Sequence, residues 1–264
     1  MNTLEQLKVS LVQTELIWEK PSENRSRIGK FINEAEKSDL IVLPEMFSTG
    51  FSMNSSAMAE AMDGPTVKWM LDQARSLETY ICGSLIIEER GQFYNRFIWA
   101  QPDGELQYYD KRHLFRMSAE NDHYSGGREK LFLELKGFRI CPQICYDLRF
   151  PAWSRNDANN DSGYDLLLYV ANWPSVRRDH WTSLLKARAI ENLCYTIGVN
   201  RIGIDGNDVL YAGDSVCLDY NGQTMLDLKS QNEIANITLN KHSLLEYRNS
   251  FPAHLDADCY TVDL

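Results

Sequence analysis

The chain of 264 residues is poor in the patterns that would mark it as stapled, metal-bound, nucleotide-binding or membrane-borne. Its six cysteines (82, 141, 145, 194, 217 and 259) form no Cys-x-x-Cys pair. No group of His, Cys, Asp and Glu falls at ligand spacing, so no metal site is expected. No Gly-x-Gly-x-x-Gly or Walker-type loop is present, so no nucleotide-dependent function and no cofactor is expected. The longest apolar runs, around Ile41-Val42-Leu43 and Leu166-Leu167-Leu168-Tyr169-Val170, fall far short of the ~20 residues a membrane helix needs. Positions 1–14 lack the basic segment, apolar stretch and cleavage site of a secretory signal. A cytoplasmic protein with reduced thiols is the expectation, in which the Asn-x-Ser/Thr sequences at Asn24, Asn54, Asn160 and Asn236 are idle. Basic charge is also scarce, with 27 Lys and Arg against 37 Asp and Glu and a net charge of −10. That balance argues against a general nucleic-acid binder, and the doublets Lys111-Arg112 and Arg177-Arg178 are too small to reverse it.

What is present is a large apolar share, 44% of residues, in a chain long enough to bury about three quarters of its extended surface. Short β-type runs alternate with helical patterns. Strands are expected over 7–12, 40–43, 80–87, 93–100, 105–109, 138–144, 165–171, 194–202 and 232–238. Helices are expected over 21–37, 67–77, 180–193 and 241–247. Hairpins are expected at Pro102-Asp103-Gly104 and at Asn221-Gly222, between strands at 215–220 and 223–228. Interleaved strands and helices together with hairpins imply an α/β layer structure with a mixed sheet. The polar cluster 157–161 is the one loop-like stretch of note. No internal repeat or low-complexity tract interrupts the chain.

Three segments carry an apolar or aromatic strand that stops at a reactive residue: Leu43-Pro44-Glu45-Met46-Phe47, Tyr109-Asp110-Lys111-Arg112-His113-Leu114-Phe115, and Ile144-Cys145-Tyr146-Asp147-Leu148-Arg149-Phe150-Pro151. Strand ends in open α/β sheets are where sites assemble. Taken singly, Glu45 reads as a strand-end carboxylate capping the next segment as readily as a general base, and Lys111 as a solvated surface charge. Cys145 is the strongest single candidate, because a turn after a strand can present the thiol and aim backbone N–H groups at an adjacent oxyanion. A thiol with an ordinary pKa of about 8.5 needs a base or a cation beside it. Glu45 and Lys111 are one of each. His113 is the rival partner, in a Cys-His arrangement, while His180 beside Trp181 reads as structural. Cys82, Cys194 and Cys217 read as core thiols, and Cys141 as packing beneath the site.

Together the three segments resemble the nitrilase, or carbon–nitrogen hydrolase, superfamily, whose signature is a Glu-Lys-Cys triad in this chain order. Ala187-Arg188-Ala189-Ile190-Glu191-Asn192 is similar to the family's helix motif. The segment after Lys111 and Ala171-Asn172-Trp173-Pro174 are most similar to the bacterial omega-amidase (2-oxoglutaramate amidase) branch. The resemblance implies one α-β-β-α sandwich domain, with a core over about 7–239 and a tail over 240–264. It further implies a homodimer, a small-molecule amide substrate, and no metal or cofactor.

Within that resemblance Glu45 is the base, Cys145 the nucleophile, and Lys111 with the backbone N–H of Tyr146 the oxyanion donors. Glu120, nine residues after the lysine, orients substrate and water. Phe47, Phe115, Trp173 and Arg116 are expected at the substrate, Arg116 as a partner for a substrate carboxylate. Asp147 and Arg149 are expected to hold the cysteine turn, and Arg188 with Glu191 to form a structural ion pair. The implied activity is hydrolysis of the terminal amide of small dicarboxylic acid monoamides. The alternatives are an N-carbamoyl amino acid hydrolase, an aliphatic amidase, or a non-catalytic scaffold.

Overall fold

The computed structural model describes residues 5–156, 163–258 and 261–262. The polar cluster 157–161 and Cys259 lie outside these residues. The first half of the chain forms β1 (Gln6–Gln13), α1 (Pro21–Asn33), β2 (Leu40–Val42), α2 (Ser55–Met58), α3 (Pro65–Leu77), β3 (Tyr80–Glu89), β4 (Gln92–Ala100), β5 (Leu106–Asp110) and the single turn α4 (Glu120–His123). The second half forms β6 (Leu133–Leu135), β7 (Phe138–Ile144), α5 (Pro151–Ser154), β8 (Leu166–Ala171), α6 (Arg178–Asn192) and β9 (Tyr195–Asn200). It continues through β10 (Ile202–Ile204), β11 (Leu210–Ala212), β12 (Val216–Leu218), β13 (Thr224–Asp227), β14 (Glu233–Asn240) and α7 (Lys241–Ser250).

Two six-stranded mixed sheets result. One has the order β14-β1-β2-β3-β4-β5 and the other β13-β12-β9-β8-β7-β6. In each, the three central strands are parallel and the flanking ones antiparallel.

Side-chain alternation decides which face goes where, because successive residues of a strand point to opposite sides. Leu7, Val9, Leu11, Leu40, Val42, Phe97 and Trp99 of the first sheet pack with Ile140, Leu166, Leu168 and Ile197 of the second, in a core between the sheets. The intervening Val12, Ile41, Ile81, Ile98 and Ala100 face Ile28, Ile32, Val67 and Met70 of α1 and α3. Trp181, Leu185 and Ala189 of α6 are buried on the far side of the second sheet. The layers therefore run helix, sheet, sheet, helix, which is the expected sandwich.

Most expected elements stand where the pattern placed them, with three informative differences. The first helix stops at Asn33 rather than 37. The expected strand 194–202 is broken at Arg201, whose buried guanidinium donates to the carbonyls of Leu16, Ile202 and Ile204 and forces the chain to change course. The segment expected as a tail opens with the expected helix, α7, but that helix is not apart from the core: its Leu244 is fully buried in the cluster that includes strands of both sheets. No helix among the described residues is long and apolar enough to cross a membrane.

Candidate active site

Three chain reversals bring the reactive residues together. Beyond β2, Leu43 still pairs with Cys82 and delivers Glu45 to the sheet end; Met46 then takes φ +43° and is held by Ser84. Cys145, directly after β7, also takes φ +43°, and Ala119, directly before Glu120, takes φ +58°. A left-handed backbone is costly for residues with a side chain, and such conformations concentrate at functional sites. All three sit next to, or are, an expected site residue.

Glu45, Lys111 and Glu120 are fully buried. The Lys111 ammonium lies 3.0 Å from Glu45 Oε1 and 3.0 Å from both oxygens of Glu120. Asn95, opposite on β4, donates to Glu45 Oε1 at 2.7 Å and to Glu120 Oε1 at 3.3 Å. The backbone N–H of Asn172 donates to Glu45 Oε2 at 2.7 Å, and its amide donates to the Glu45 carbonyl. Burial opposes the Lys111 charge, but the Glu120 and Glu45 carboxylates outweigh it and hold the ammonium above the ordinary lysine range. Burial raises the Glu120 carboxyl, against the pull of Lys111. Burial also pushes the Cys145 thiol well up, Glu45 adds to that, and Lys111 works the other way. The resting group is thus a thiol beside a carboxylate and a fixed cation, and the thiol lies 3.9 Å from the carbonyl of Asn172.

Cys145 forms part of the floor of an open cavity of about 1020 Å³. Its lining includes Tyr146, Arg149, Asn172, Trp173, Arg177, Phe51, Phe115, Met117, Trp18 and Tyr211, together with the acids Glu19, Asp205 and Asp208. Phe115 and Trp173, both expected at the substrate, line the cavity.

Phe47 does not line the cavity. After the left-handed turn at Met46 its ring enters the helix-facing core and lies 5.8 Å from Trp69. Arg116 points to solvent and is not in the cavity wall either. The cations in the wall are Arg149 and Arg177. Arg149 lies over the Trp173 ring at 4.8 Å, and Arg177 over Phe115 at 5.3 Å. Burial and the neighbouring Arg177 charge both lower the Arg149 pKa, and among the described residues neither guanidinium has a carboxylate partner. Arg149 therefore faces the cavity and His180, and does not brace the cysteine turn as expected.

Asp147 does brace it, accepting from the Ile144 N–H at 3.0 Å. Arg188 pairs with Glu191 at 2.8 Å and donates to the Leu148 carbonyl. His113, the rival partner for the thiol, is bound instead to Asp147 at 2.8 Å and stacked on Phe150. Asn95 and the Arg177 turn were not anticipated. The sequence places Asn172 within Ala171-Asn172-Trp173-Pro174 but assigns it no role.

The carbon–nitrogen hydrolase family model matches residues 8–248. An omega-amidase, YafV, of Escherichia coli K12 is 44% identical over 253 residues, covering 96% of this chain and 97% of its own length. A 2-oxoglutaramate amidase of Bacillus subtilis is 32% identical over 94% of this chain and 96% of its own. Among solved structures, a carbon–nitrogen hydrolase superfamily protein of Xanthomonas campestris with an arsenic adduct in its active site is 47% identical. It covers 98% of this chain and 99% of its own, with a TM-score of 0.94. With the sandwich, the buried Glu-Lys cluster beside a strand-end cysteine, and a family match over nearly the whole length, the chain belongs to the carbon–nitrogen hydrolase family.

Proposed function

We propose that this protein is an omega-amidase that hydrolyses the terminal amide of small dicarboxylic acid monoamides, of the 2-oxoglutaramate or succinamate type, to the acid and ammonia. The observation that carries it is the convergence of Glu45 and Glu120 on Lys111, all buried beside Cys145, which itself lines the cavity. The near full-length identity to an omega-amidase supports the substrate class.

In this reading Glu45 takes the thiol proton as the Cys145 sulfur attacks the amide carbon. The tetrahedral oxyanion accepts from the Lys111 ammonium and the Tyr146 N–H, contacts worth roughly 10²–10³ in rate each. Glu45 returns the proton to the leaving nitrogen, ammonia departs, and a thioester remains on Cys145. Water then gives a proton to Glu45 and its oxygen attacks the thioester carbon. Collapse of the second intermediate frees the acid, and the thiol is restored. Glu120 holds Lys111 and the Phe115 N–H, and so orients substrate and water. Phe115 and Trp173 flank the substrate chain, while Arg149 and Arg177 take over the carboxylate role expected of Arg116. A cytoplasmic location, a homodimer and the action of the whole chain as one domain belong to the same proposal.

Ammonia release from 2-oxoglutaramate and succinamate by wild-type and Cys145→Ala protein tests it. The wild type releases ammonia and the variant does not. Equal rates in the two would exclude the mechanism, and a wild type inactive on both amides would exclude the substrate class.

A further inference from the structure

Asp147 lies two residues beyond Cys145 and is wholly buried, yet it touches neither the thiol nor the cavity wall. Its carboxylate gathers four hydrogen bonds from three residues on two stretches of chain. Oδ2 accepts from the Ile144 N–H at 3.0 Å and from the Tyr109 hydroxyl at 2.7 Å. Oδ1 accepts from the His113 N–H at 2.9 Å and from His113 Nδ1 at 2.8 Å. Ile144 immediately precedes Cys145. Tyr109 and His113 bracket Lys111, two residues to either side.

The Tyr109 hydroxyl accepts in turn from the Arg112 N–H at 3.1 Å and from Trp153 Nε1 at 3.0 Å. The His113 ring lies flat on Phe150, centroids 3.8 Å apart. Both side chains through which Asp147 holds the Lys111 loop therefore also touch the segment that follows Cys145, Tyr109 at Trp153 and His113 at Phe150. Cys145 and Lys111 come from different sheets, β7 and the end of β5, so nothing in the strand pairing sets their separation. A buried carboxylate bonded to both sides supplies that constraint, because charge-assisted hydrogen bonds in a low dielectric are short and stiff.

We propose that Asp147 is a positioning residue that joins the cysteine turn to the lysine loop and fixes the distance between the nucleophile and the ammonium. This role depends on Cys145 and Lys111 acting as proposed above. Cys145→Ala separates the two failures. If that variant keeps full activity, the chemistry is wrong; if it is inactive while loss of Asp147 changes nothing, only the positioning role falls.

Asp147→Asn keeps the size of the side chain but turns a donor toward one of its own donors. Tyr109→Phe removes the hydroxyl bond and His113→Ala the ring bond, and both leave the Ile144 and His113 backbone bonds in place. For each variant kcat, KM and the pH dependence of Cys145 alkylation by iodoacetamide, followed by peptide mass spectrometry, are compared with wild type. Misplacing a catalytic group by about 1 Å costs about 10²-fold, so kcat of Asp147→Asn is expected to fall by that order. KM is expected to stay within about threefold, since the cavity wall is untouched. The alkylation midpoint moves to higher pH, because Lys111 no longer sits where it favours the thiolate; a purely structural residue would lower folded yield without moving that midpoint. Folded Asp147→Asn with wild-type kcat and midpoint overturns the proposal. If Asp147→Asn does not fold, wild-type kcat and midpoint in both Tyr109→Phe and His113→Ala overturn it instead.

Discussion

Lys111 Nζ lies 3.0 Å from Glu45 Oε1 with both side chains out of contact with solvent. Glu120 is an equally close second acid, so one cation answers two buried carboxylates. Removing the cation strands both acids, and an unpaired buried charge costs about 3–5 kcal/mol. Lys111→Met is expected to lose stability of that order in urea denaturation. Loss of one oxyanion donor should lower ammonia release by about 10²–10³ as well. A variant as stable as wild type would mean that the ammonium does not neutralise the acids.

Glu45→Gln is nearly isosteric, and its amide oxygen can still accept from the Asn172 N–H that now reaches Oε2 at 2.7 Å. It cannot accept the thiol proton. General base catalysis contributes about 10²–10⁴, and kcat should fall within that range. A wild-type kcat would place the activation of the thiol elsewhere.

How much of this was legible in the sequence follows from chain separation. Alternation placed β1, and wholly apolar runs placed β2 and β8, because a strand buried on both faces is apolar throughout, as Val42 and Ile41 are. The reactive residues stand at strand ends, a position readable from an apolar run that stops. The rest of the cavity wall was not readable: Trp18, Phe51, Arg177 and Tyr211 come from stretches far apart in the chain and joined only by the fold. Phe47, expected at the substrate from the resemblance, is turned into the helix-facing core by the left-handed backbone at Met46. Arg116 was misplaced because the single 3-10 turn Arg116–Ser118 carries it away from its neighbour Phe115. The β10–β11 hairpin, only three residues a strand, carries too little pattern to be seen.

The buried thiols make stability fall with alkali. Burial raises Cys141 and Cys194 to about 12, and Cys82 also lies well above the usual range. An unfolded thiol titrates near pH 8.5. The stabilisation is therefore fully present below about pH 8.5, and it is lost as pH rises toward the folded values, because the unfolded chain then binds fewer protons than the folded one. Each such thiol adds a slope of up to about 1.4 kcal/mol per pH unit. Urea midpoints between pH 7 and 10.5 should decline, and Cys194→Ala should decline less steeply. A profile flat to pH 10.5 would mean that these thiols are open to solvent.

Arg149 and Arg177 are neighbouring guanidiniums on one cavity wall, each laid over an aromatic ring and neither answered by a carboxylate among the described residues. Like charges so placed repel, and an anion between them removes the repulsion and gains charge-assisted hydrogen bonds. A bond to a charged group is worth about 1.5–3 kcal/mol, so Arg149→Met or Arg177→Met should raise KM for succinamate by about 10- to 100-fold. A neutral amide of the same chain length, butanamide, has no carboxylate to lose, and its kcat/KM should change little in either variant. Arg116→Met should change neither substrate, since that side chain points to solvent. The wild-type preference for succinamate over butanamide should also weaken with added salt, as attraction between partly exposed charges is screened. If both arginine variants kept the wild-type KM for succinamate, the carboxylate would have to be met elsewhere in the cavity. If succinamate and butanamide lost activity equally, the arginines would be shaping the cavity wall and not reading the charge of the substrate.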